Sequence, residues 1–259
     1  MITLITATGG RPQQFNLCKH FMQRQTYTGE VLWIIVDDVI PLSTNSVDDT
    51  FREGWEIVKI SPLPQWRTGQ NTQARNLIAG MNVLTTNYKK EDIEAVFIIE
   101  DDDWYRENYL ERMVHHMRDY NIAGEKNCIY YNVHYRRYVR HDNVLHSSLF
   151  QTAFVWDMIP DFVKICTNPS KVATFYIDVQ LWHEAKNKNL FNDNNLGVGI
   201  KGMPGRFGIG AGHTKWLQMR EDINLVFLTS IIGSDAQLYA GFDSGVRLQQ
   251  HASFSQRRL

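Results

Sequence analysis

Short runs of apolar residues alternate with amphipathic segments along the first hundred positions of the chain. The run at residues 31–36 is apolar throughout, which is typical of a strand buried on both faces. Apolar residues recur at helical spacing after Pro12 and again over residues 73–84, so both segments are predicted to form helices. The predicted strands cover residues 2–7, 31–36, 55–60 and 95–99. Strands and helices in this alternating order predict an α/β fold with a mostly parallel sheet sandwiched by helices.

The second half of the chain has a less regular pattern. The elements predicted there are strands at residues 128–135 and 149–156, with a polar segment between them, and a helix at residues 176–186. Seven of the chain's 17 glycines fall within residues 197–212, so this stretch is predicted to be a loop rather than part of the core. Its first six residues spell G-x-G-x-x-G, but they follow a polar segment instead of a strand, so a dinucleotide-binding turn is not predicted. No linker composition separates the halves, so residues 1–259 are predicted to form a single domain.

Composition narrows the class of protein. The 259 residues include 27 Lys and Arg against 28 Asp and Glu, which gives a formal net charge of −1. This balance excludes a generally basic nucleic-acid coat and an acidic disordered tail, although a local patch of either sign is compatible with it. Cys18, Cys128 and Cys166 are far apart in the sequence, which argues against a disulfide framework and against a zinc ribbon.

The amino terminus and the apolar runs bear on localisation. The first residues have neither the basic segment nor the long apolar stretch of a signal peptide. The longest apolar runs have about six residues, whereas a membrane-spanning helix needs roughly 20. We therefore expect a soluble protein of a reducing compartment, located in the cytoplasm.

Two acidic segments follow predicted strands directly. They are Glu100-Asp101-Asp102-Asp103, after the run at residues 95–99, and Asp37-Asp38, after the run at residues 31–36. Adjacent carboxylates repel one another, and Mg²⁺ or Mn²⁺ offsets that repulsion while sharing its shell with substrate phosphates. Ligands of open α/β sheets bind at the carboxyl ends of the strands. The pattern therefore favours a metal and phosphate site there, and the alternative is a solvated acidic turn that caps the next helix.

Four segments together carry a family resemblance. They are Gln25-Thr26-Tyr27, residues 33–38 (WIIVDD), Ala74-Arg75-Asn76 and residues 98–103 (IIEDDD). In order and spacing, these segments resemble the GT-A glycosyltransferases, particularly the family-2-like inverting enzymes. The resemblance covers residues 1–105 well and the remainder loosely. Val39-Ile40 departs from the Gly-Ser that usually follows the acids of the second strand in that family.

The resemblance implies a GT-A-like, Rossmann-like domain that binds a nucleotide-diphosphate sugar, with a UDP-sugar favoured. Residues 1–103 would form the nucleotide-sugar-binding half, and residues 104–259 the acceptor-binding and catalytic half with a smaller hairpin region. The donor-binding residues expected are Thr6, Thr8, Arg11, Asp37, Asp38, Arg75, Glu100, Asp101 and Arg206. The metal ligands expected are Asp102, Asp103 and His213, with Mn²⁺ or Mg²⁺ as the ion.

The register of the acidic D-x-D motif has two interpretations. Aligned to the family's usual D-x-D-D, Asp102 is the metal ligand and Glu100 replaces an aspartate. A shift by one position makes Asp101 and Asp103 the pair instead. Both registers remain open at the level of sequence.

Catalytic candidates lie in the second half. An inverting sugar transfer needs a carboxylate that deprotonates the acceptor hydroxyl as it attacks. The family places this base as an Asp at the start of a helix, and Asp178 fits, with a helix cap as the alternative. The glycine-rich stretch resembles a loop that closes over the diphosphate, with Arg206 or Lys215 neutralising the leaving group and His213 completing the metal shell.

A segment that interleaves aromatic residues with cations is the candidate acceptor site. Its proposed contact residues are Tyr135, Arg136, Arg137 and Arg140. Such residues can stack on sugars or bases and contact phosphates, so the acceptor hydroxyl could belong to a saccharide or to a hydroxylated base of a nucleic acid. The alternative is an amphipathic hairpin with a solvated basic face.

Two other functions are compatible with these motifs. A nucleotidyltransferase shares acidic strand ends and metal–phosphate chemistry, but it should have a Gly-rich loop bearing Lys or Arg after the first strand. Thr8-Gly9-Gly10-Arg11 is only a faint version of that loop. A non-catalytic module that binds nucleotides or glycans needs no base, so Asp178→Asn would leave its function intact. The predicted function is a metal-dependent, inverting glycosyltransferase.

Overall fold

The computed structural model describes residues 1–39, 47, 50–67, 70–168, 176–204 and 216–242. The first half contains β1 (Ile2–Thr8), α1 (Pro12–Gln23), β2 (Val31–Asp37), β3 (Trp55–Ile60), α2 (Gln73–Asn87), β4 (Ala95–Ile98), β5 (Trp104–Tyr105) and α3 (Tyr109–Met117). The second half adds β6 (Ile122–Glu125), β7 (Asn127–Asn132), β8 (Arg137–Asp142), β9 (Thr152–Phe154), α4 (Ile159–Thr167), α5 (Ile177–Glu184), β10 (Lys188–Phe191), β11 (Gly197–Lys201), β12 (Arg220–Glu221) and α6 (Val226–Ile232). Short 3₁₀ helices cover Lys90–Asp92, Leu149–Gln151, Trp156–Met158, Trp216–Gln218 and Gly233–Phe242.

The larger sheet carries the predicted parallel core. Within the described residues its strand order is β10-β6-β9-β4-β1-β2-β3. The pairs β4–β1, β1–β2, β2–β3 and β10–β6 are parallel, and β9 runs antiparallel to both of its neighbours. The predicted α/β class, with a mostly parallel sheet between helices, is confirmed.

Both faces of the larger sheet are covered by helices. Strand β2 alternates between them: Val31, Trp33 and Ile35 belong to the core beneath α1 and α3, while its other apolar residues pack under α2, α4 and α5. All seven residues of β2 are buried. A strand with helices on both faces requires apolar side chains at every position, which accounts for the uninterrupted run seen in the sequence.

The smaller sheet lies beside the first and contains the predicted hairpin. Within the described residues its strand order is β12-β8-β7-β11-β5. β7 and β8 form an antiparallel hairpin, in register from Asn127 opposite Asp142 to Asn132 opposite Arg137. β5 directly follows the acidic segment that leaves β4, and it pairs with β11. The smaller sheet is therefore attached to the larger one next to the acidic residues.

The prediction of a loop over residues 197–212 is wrong for its first five residues, which form the buried strand β11. Gly197 and Gly199 lie against the rings of Phe150 and Tyr130. A Cβ atom at Gly199 would come within 2.5 Å of the Tyr130 ring. Close packing of aromatic rings on the strand, rather than loop flexibility, explains these two glycines.

Other elements match the predictions more or less closely. Helix α1 begins at Pro12, and α5 matches the helix predicted at residues 176–186. Residues 149–156 form only the short strand β9, which lies between β4 and β6 in the larger sheet and has a 3₁₀ turn on either side. Among the residues that the structure describes, no helix combines the length and apolarity required to cross a membrane.

Candidate functional site

The two acidic segments meet around the carboxyl end of β1. This strand lies between β2 and β4, and its last residue, Thr8, is in register with Asp37. The Thr8 hydroxyl donates a hydrogen bond to Asp101 Oδ2 at 2.6 Å. Because parallel strands end at the same edge of a sheet, the acids after β2 and after β4 lie on either side of Thr8.

Two cations pair with the carboxylates that follow β4. Arg11, just before α1, lies 3.0 Å from Asp101 Oδ1 and 2.6 Å from Asp102 Oδ2. Lys201, the last residue of β11, lies 3.2 Å from Asp103 Oδ1. Asp101, Asp102 and Asp103 are all buried, which separates this cluster from the solvated acidic turn considered as an alternative.

Burial dominates the electrostatics of the cluster. It raises the pKa of Asp101 and Asp103, and Arg11 and Lys201 respectively oppose that rise. Burial by itself would lower the pKa of Lys201, but the charges of Asp103, Asp102 and Glu100 outweigh it and raise the pKa. Within the described residues, four carboxylates therefore face two cations, and two negative charges are left when all are ionised.

The acidic residues fit a divalent cation. Glu100, Asp102 and Asp103 each offer a carboxylate oxygen, and these oxygens lie within 4.8 Å of one another. Asp103 Oδ1 accepts a hydrogen bond from the Ile200 backbone, but Asp103 Oδ2 is buried without a hydrogen-bond partner. A buried oxygen without a donor is costly unless a cation or another donor reaches it. Hard oxygen ligands suit Mg²⁺ and Mn²⁺.

This grouping differs in part from the predicted ligand set. Asp102 and Asp103 were predicted to bind the metal with His213, whereas Glu100 was predicted to contact the donor. The structure groups Glu100 with the two aspartates instead. Gln73, at the start of α2, donates to Glu100 Oε1 at 3.0 Å. His213, Arg206 and Lys215 lie outside the described residues.

Asp38 connects the second acidic segment to helix α2. Its Oδ2 atom accepts hydrogen bonds from Thr72 Oγ1 at 2.5 Å, Asn76 Nδ2 at 2.8 Å and Arg75 Nη2 at 2.9 Å. Asp38 and Arg75, which were each expected to bind the donor, are therefore in direct contact with one another, and Asp38 fixes the start of α2. Asp37 is also fully buried, and its Oδ1 accepts a hydrogen bond from the Val39 backbone.

Thr6, a predicted donor-binding residue, lies inside the larger sheet. It is fully buried, and its hydroxyl accepts a hydrogen bond from Trp33 Nε1 at 3.0 Å. Thr6 therefore packs within the sheet, whereas Thr8 contacts the acidic residues. Binding of the nucleotide sugar by Thr6 stays a prediction.

Asp178 lies in the first turn of α5, as predicted. Its Oδ1 atom accepts a hydrogen bond from the Val179 backbone at 2.9 Å, but the N-cap position of α5 is Tyr176 and no side chain makes a capping hydrogen bond there, so this contact does not support the alternative of a helix cap. Burial raises the pKa of Asp178, the charge of Glu100 raises it further, and His146 lowers it. The carboxylate is thus close enough to Glu100 for their charges to interact, and a raised pKa suits a general base.

The cations of the hairpin are used differently from the prediction. Arg136 donates to the carbonyl oxygens of Ile223 at 2.8 Å and Ala240 at 3.0 Å. Arg137 donates to the carbonyl oxygen of Met219 at 2.9 Å and forms an ion pair with Glu221. These contacts differ from the solvated basic face of the amphipathic-hairpin alternative, because they attach residues 219–240 to the hairpin, and an acceptor contact of Arg136 and Arg137 stays a prediction.

Arg140 and Tyr135 complete the predicted acceptor set. The Arg140 guanidinium lies over the ring of Phe227, 4.9 Å from its centroid, and the residue is exposed. The Tyr135 backbone donates to Asn132 Oδ1, and its ring contacts His134 edge-on. Neither residue is brought to the acidic cluster by a contact that the structure describes.

Lys201 is a site residue that the sequence reasoning missed. The glycine-rich composition around it indicated a loop, which hid a strand pattern. In residues 197–201, Val198 and Ile200 alternate with Gly197 and Gly199, and the final Lys201 falls on the glycine face. Period-two alternation was the signal that could have identified the strand and its terminal lysine.

Comparisons with known proteins agree with this geometry at the level of fold. No protein-family model matches the sequence, and no curated protein sequence does so. The arrangement of sheet and helices resembles that of solved structures of TarS, a GT-A-type glycosyltransferase.

Solved structures of TarS from S. aureus are among those that share the fold. TarS 1–349 matches with a TM-score of 0.51 and 10% identity, over 77% of this chain and 60% of TarS 1–349. Its complex with UDP-GlcNAc matches with a TM-score of 0.52 and 10% identity, over 80% of this chain and 60% of that chain. The chain covers 37% of a longer TarS structure. An identity of 10% makes this a likeness of fold.

Proposed function

We propose that the protein is a metal-dependent, inverting glycosyltransferase that moves a sugar from a nucleotide-diphosphate sugar to a hydroxyl acceptor. The observation that carries the proposal is the grouping of Glu100, Asp102 and Asp103 at the carboxyl edge of a mostly parallel sheet. Ligands of open α/β sheets bind at that edge. TarS, which shares the fold, has been crystallised with UDP-GlcNAc and with UDP, and this supports a UDP-sugar as donor.

Donor binding would combine the acidic cluster with the start of α2. A diphosphate is repelled by carboxylates, so Glu100, Asp102 and Asp103 would hold Mn²⁺ or Mg²⁺ between themselves and the donor. When bound, the ion supplies positive charge that stabilises the diphosphate leaving group. Asp37 and Arg75 border the same edge of the sheet and would contact the nucleotide, with Asp38 holding Arg75 in place.

Asp178 is proposed as the general base. In an inverting transfer, the acceptor oxygen attacks the anomeric carbon on the face opposite the diphosphate, and the hydroxyl proton passes to a carboxylate. The raised pKa of Asp178 brings its basicity closer to that of the reacting hydroxyl than an exposed aspartate would have. Proton transfer to such a base contributes roughly 10²–10⁴-fold to the rate.

The acceptor is proposed to be a saccharide hydroxyl, with a hydroxylated base of a nucleic acid as the alternative. The Nη atoms of Arg136 and Arg137 bind the protein's own backbone and Glu221, which weakens the case for an anionic acceptor at those positions. Arg140 is exposed and would be the cation of the hairpin that a phosphate could reach.

The test is a screen of UDP-, GDP- and TDP-sugars with Mn²⁺, in which release of the nucleoside diphosphate is followed by chromatography. We expect slow hydrolysis of one donor by the wild-type protein and none by Asp178→Asn, although that variant should still bind the nucleotide. Pyrophosphate release from a nucleoside triphosphate and a sugar 1-phosphate would instead identify a nucleotidyltransferase. Nucleotide binding without turnover of any donor would indicate a non-catalytic module.

A further inference from the structure

Lys201 lies inside the acidic cluster rather than at its surface. Its ammonium is 3.2 Å from Asp103 Oδ1 and 3.7 Å from Glu100 Oε2, and its side chain is 11% exposed. It also lies 5.5 Å from the centroid of the Tyr130 ring. The ammonium therefore contacts two of the three carboxylates that could hold a metal ion.

The strand that carries Lys201 is built to deliver it there. Gly199, two residues earlier on the same face, leaves room for the Tyr130 ring, over which the lysine side chain extends. The Ile200 backbone donates to Asp103 Oδ1 at 2.7 Å, so Asp103 fixes the end of β11 as well as the ammonium. The position of Lys201 thus follows from backbone pairing and packing and not from the ion pair alone.

Stability is a weak reason for a lysine at this position. Moving an ammonium and a carboxylate out of water costs free energy, and a hydrophobic pair of similar volume is often at least as stable. Asp103 Oδ2 is buried without a hydrogen-bond partner, so the ion pair does not satisfy the carboxylate completely. A cation next to an incompletely satisfied acid, at the ligand-binding edge of the sheet, points to a role in binding.

We propose that Lys201 is a donor-binding residue, a built-in cation that attracts the diphosphate of the nucleotide alongside the metal ligands. This inference rests on the proposed function and adds a specific consequence to it. Part of the affinity for a nucleoside diphosphate is then independent of metal and depends on the charge of Lys201. That part is absent for the nucleoside, which has no phosphate.

The experiment is a calorimetric titration of UDP into the wild-type protein and its variants in EDTA. Lys201→Met alone could fail to fold because it leaves Asp103 buried without its cation, so Lys201→Met combined with Asp103→Asn provides a neutral pair. A charge-assisted hydrogen bond is worth enough that we expect the affinity of the double variant for UDP to fall roughly ten- to a hundredfold. Asp103→Asn alone should bind UDP in EDTA at least as tightly as the wild type, because it removes a negative charge and keeps the ammonium.

Two controls separate the possible outcomes. The first control is Lys90→Met. Lys90 precedes β4, so it lies at the opposite edge of the sheet from the acidic cluster, and it forms an ion pair with Asp157. Its substitution should leave UDP affinity unchanged. Uridine should bind the wild type and the double variant equally. If the double variant binds UDP as tightly as the wild type, Lys201 only neutralises Asp103 and the inference is overturned, while the nucleotide site stands. If UDP, GDP and TDP fail to bind the wild type with or without Mn²⁺, the proposed function is overturned together with the inference.

Discussion

The carboxyl edge of the larger sheet and the β7–β8 hairpin are both rich in charge, but the charges have different partners. At the sheet edge, within the described residues, four carboxylates face Arg11 and Lys201, which leaves an excess of negative charge. In the hairpin, Arg136 and Arg137 donate to the backbone of residues 219–240 and to Glu221. The first arrangement has charge for a ligand, whereas the second uses charge to attach a segment of the chain. A binding site is therefore distinguished from a structural contact by the partners of its charged side chains, and not by the number of charges it contains.

The largest effect expected from this comparison concerns Asp178, the proposed general base. Asp178→Asn should lower sugar transfer by at least roughly 100-fold, because an amide cannot accept the proton of the acceptor hydroxyl. The measurement is the rate of transfer at saturating donor, together with donor affinity by titration, which should not change. A variant that keeps its turnover but unfolds about 1 kcal/mol more easily would indicate that Asp178 only stabilises the first turn of α5.

The raised pKa of Asp178 adds a dependence on pH to the same prediction. Since burial raises the pKa in the folded protein, Asp178 contributes to stability mainly at pH values below its ordinary pKa of 3.8, and this contribution is lost as the pH rises through the folded pKa. At neutral pH, Asp178→Asn should therefore not lower the free energy of unfolding. The rate of transfer should fall as the pH drops through the folded pKa, because only the ionised carboxylate accepts a proton.

The fold and the sheet-edge cluster could be predicted from sequence for a topological reason. An apolar run followed by acids marks the carboxyl end of a buried strand, and parallel strands bring such ends together. Asp37, Asp38 and the acids at residues 100–103 therefore converge whatever the details of the loops between them. The surroundings of Thr6 were harder to predict than those of Thr8, because Thr8 is the last residue of β1 whereas Thr6 lies within the strand.

The partners of the hairpin cations could not be predicted because they lie far away in the sequence. Arg136 donates to the carbonyl oxygen of Ala240, 104 residues later, and no local pattern marks a carbonyl as its acceptor. Lys201 was missed for another reason: glycines that make room for aromatic rings have the composition of a loop. Local periodicity would have served better than composition in that segment.

A second prediction tests whether the sheet edge is preorganised by its own contacts. Asp38→Ala removes a fully buried carboxylate that accepts hydrogen bonds from Thr72, Arg75 and Asn76. Leaving those donors without their acceptor should lower the free energy of unfolding by about 2–3 kcal/mol, measured by urea denaturation. Asp142→Ala, at an exposed ion pair on β8, is the matched control and should change it by less than about 0.5 kcal/mol. Equal effects of the two substitutions would contradict a structural role for Asp38.

A third prediction concerns the metal. Clustered carboxylates repel a diphosphate unless a cation intervenes, so EDTA should weaken UDP binding by roughly tenfold or more, and Asp102→Ala should reproduce the effect in the presence of Mn²⁺. Calorimetric titrations with and without Mn²⁺ measure both. Adding Mn²⁺ should then restore affinity to the wild type but not to Asp102→Ala. Identical affinities for UDP under all of these conditions would contradict the proposal that the acidic cluster binds the metal ion.

The smallest effects are expected in the hairpin, where they separate its cations from one another. Arg137→Ala removes donors to Met219 and Glu221 and should lower the free energy of unfolding by about 1–2 kcal/mol in urea denaturation. Arg140→Ala removes a contact with the Phe227 ring, worth about 0.5–1 kcal/mol.

If the acceptor is a nucleic acid, its KM should rise steeply with salt, because phosphate contacts release counterions, and Arg140→Ala should flatten that slope. If Arg137→Ala flattens the dependence of KM on salt without lowering the free energy of unfolding, Arg137 would instead be a residue of the acceptor site.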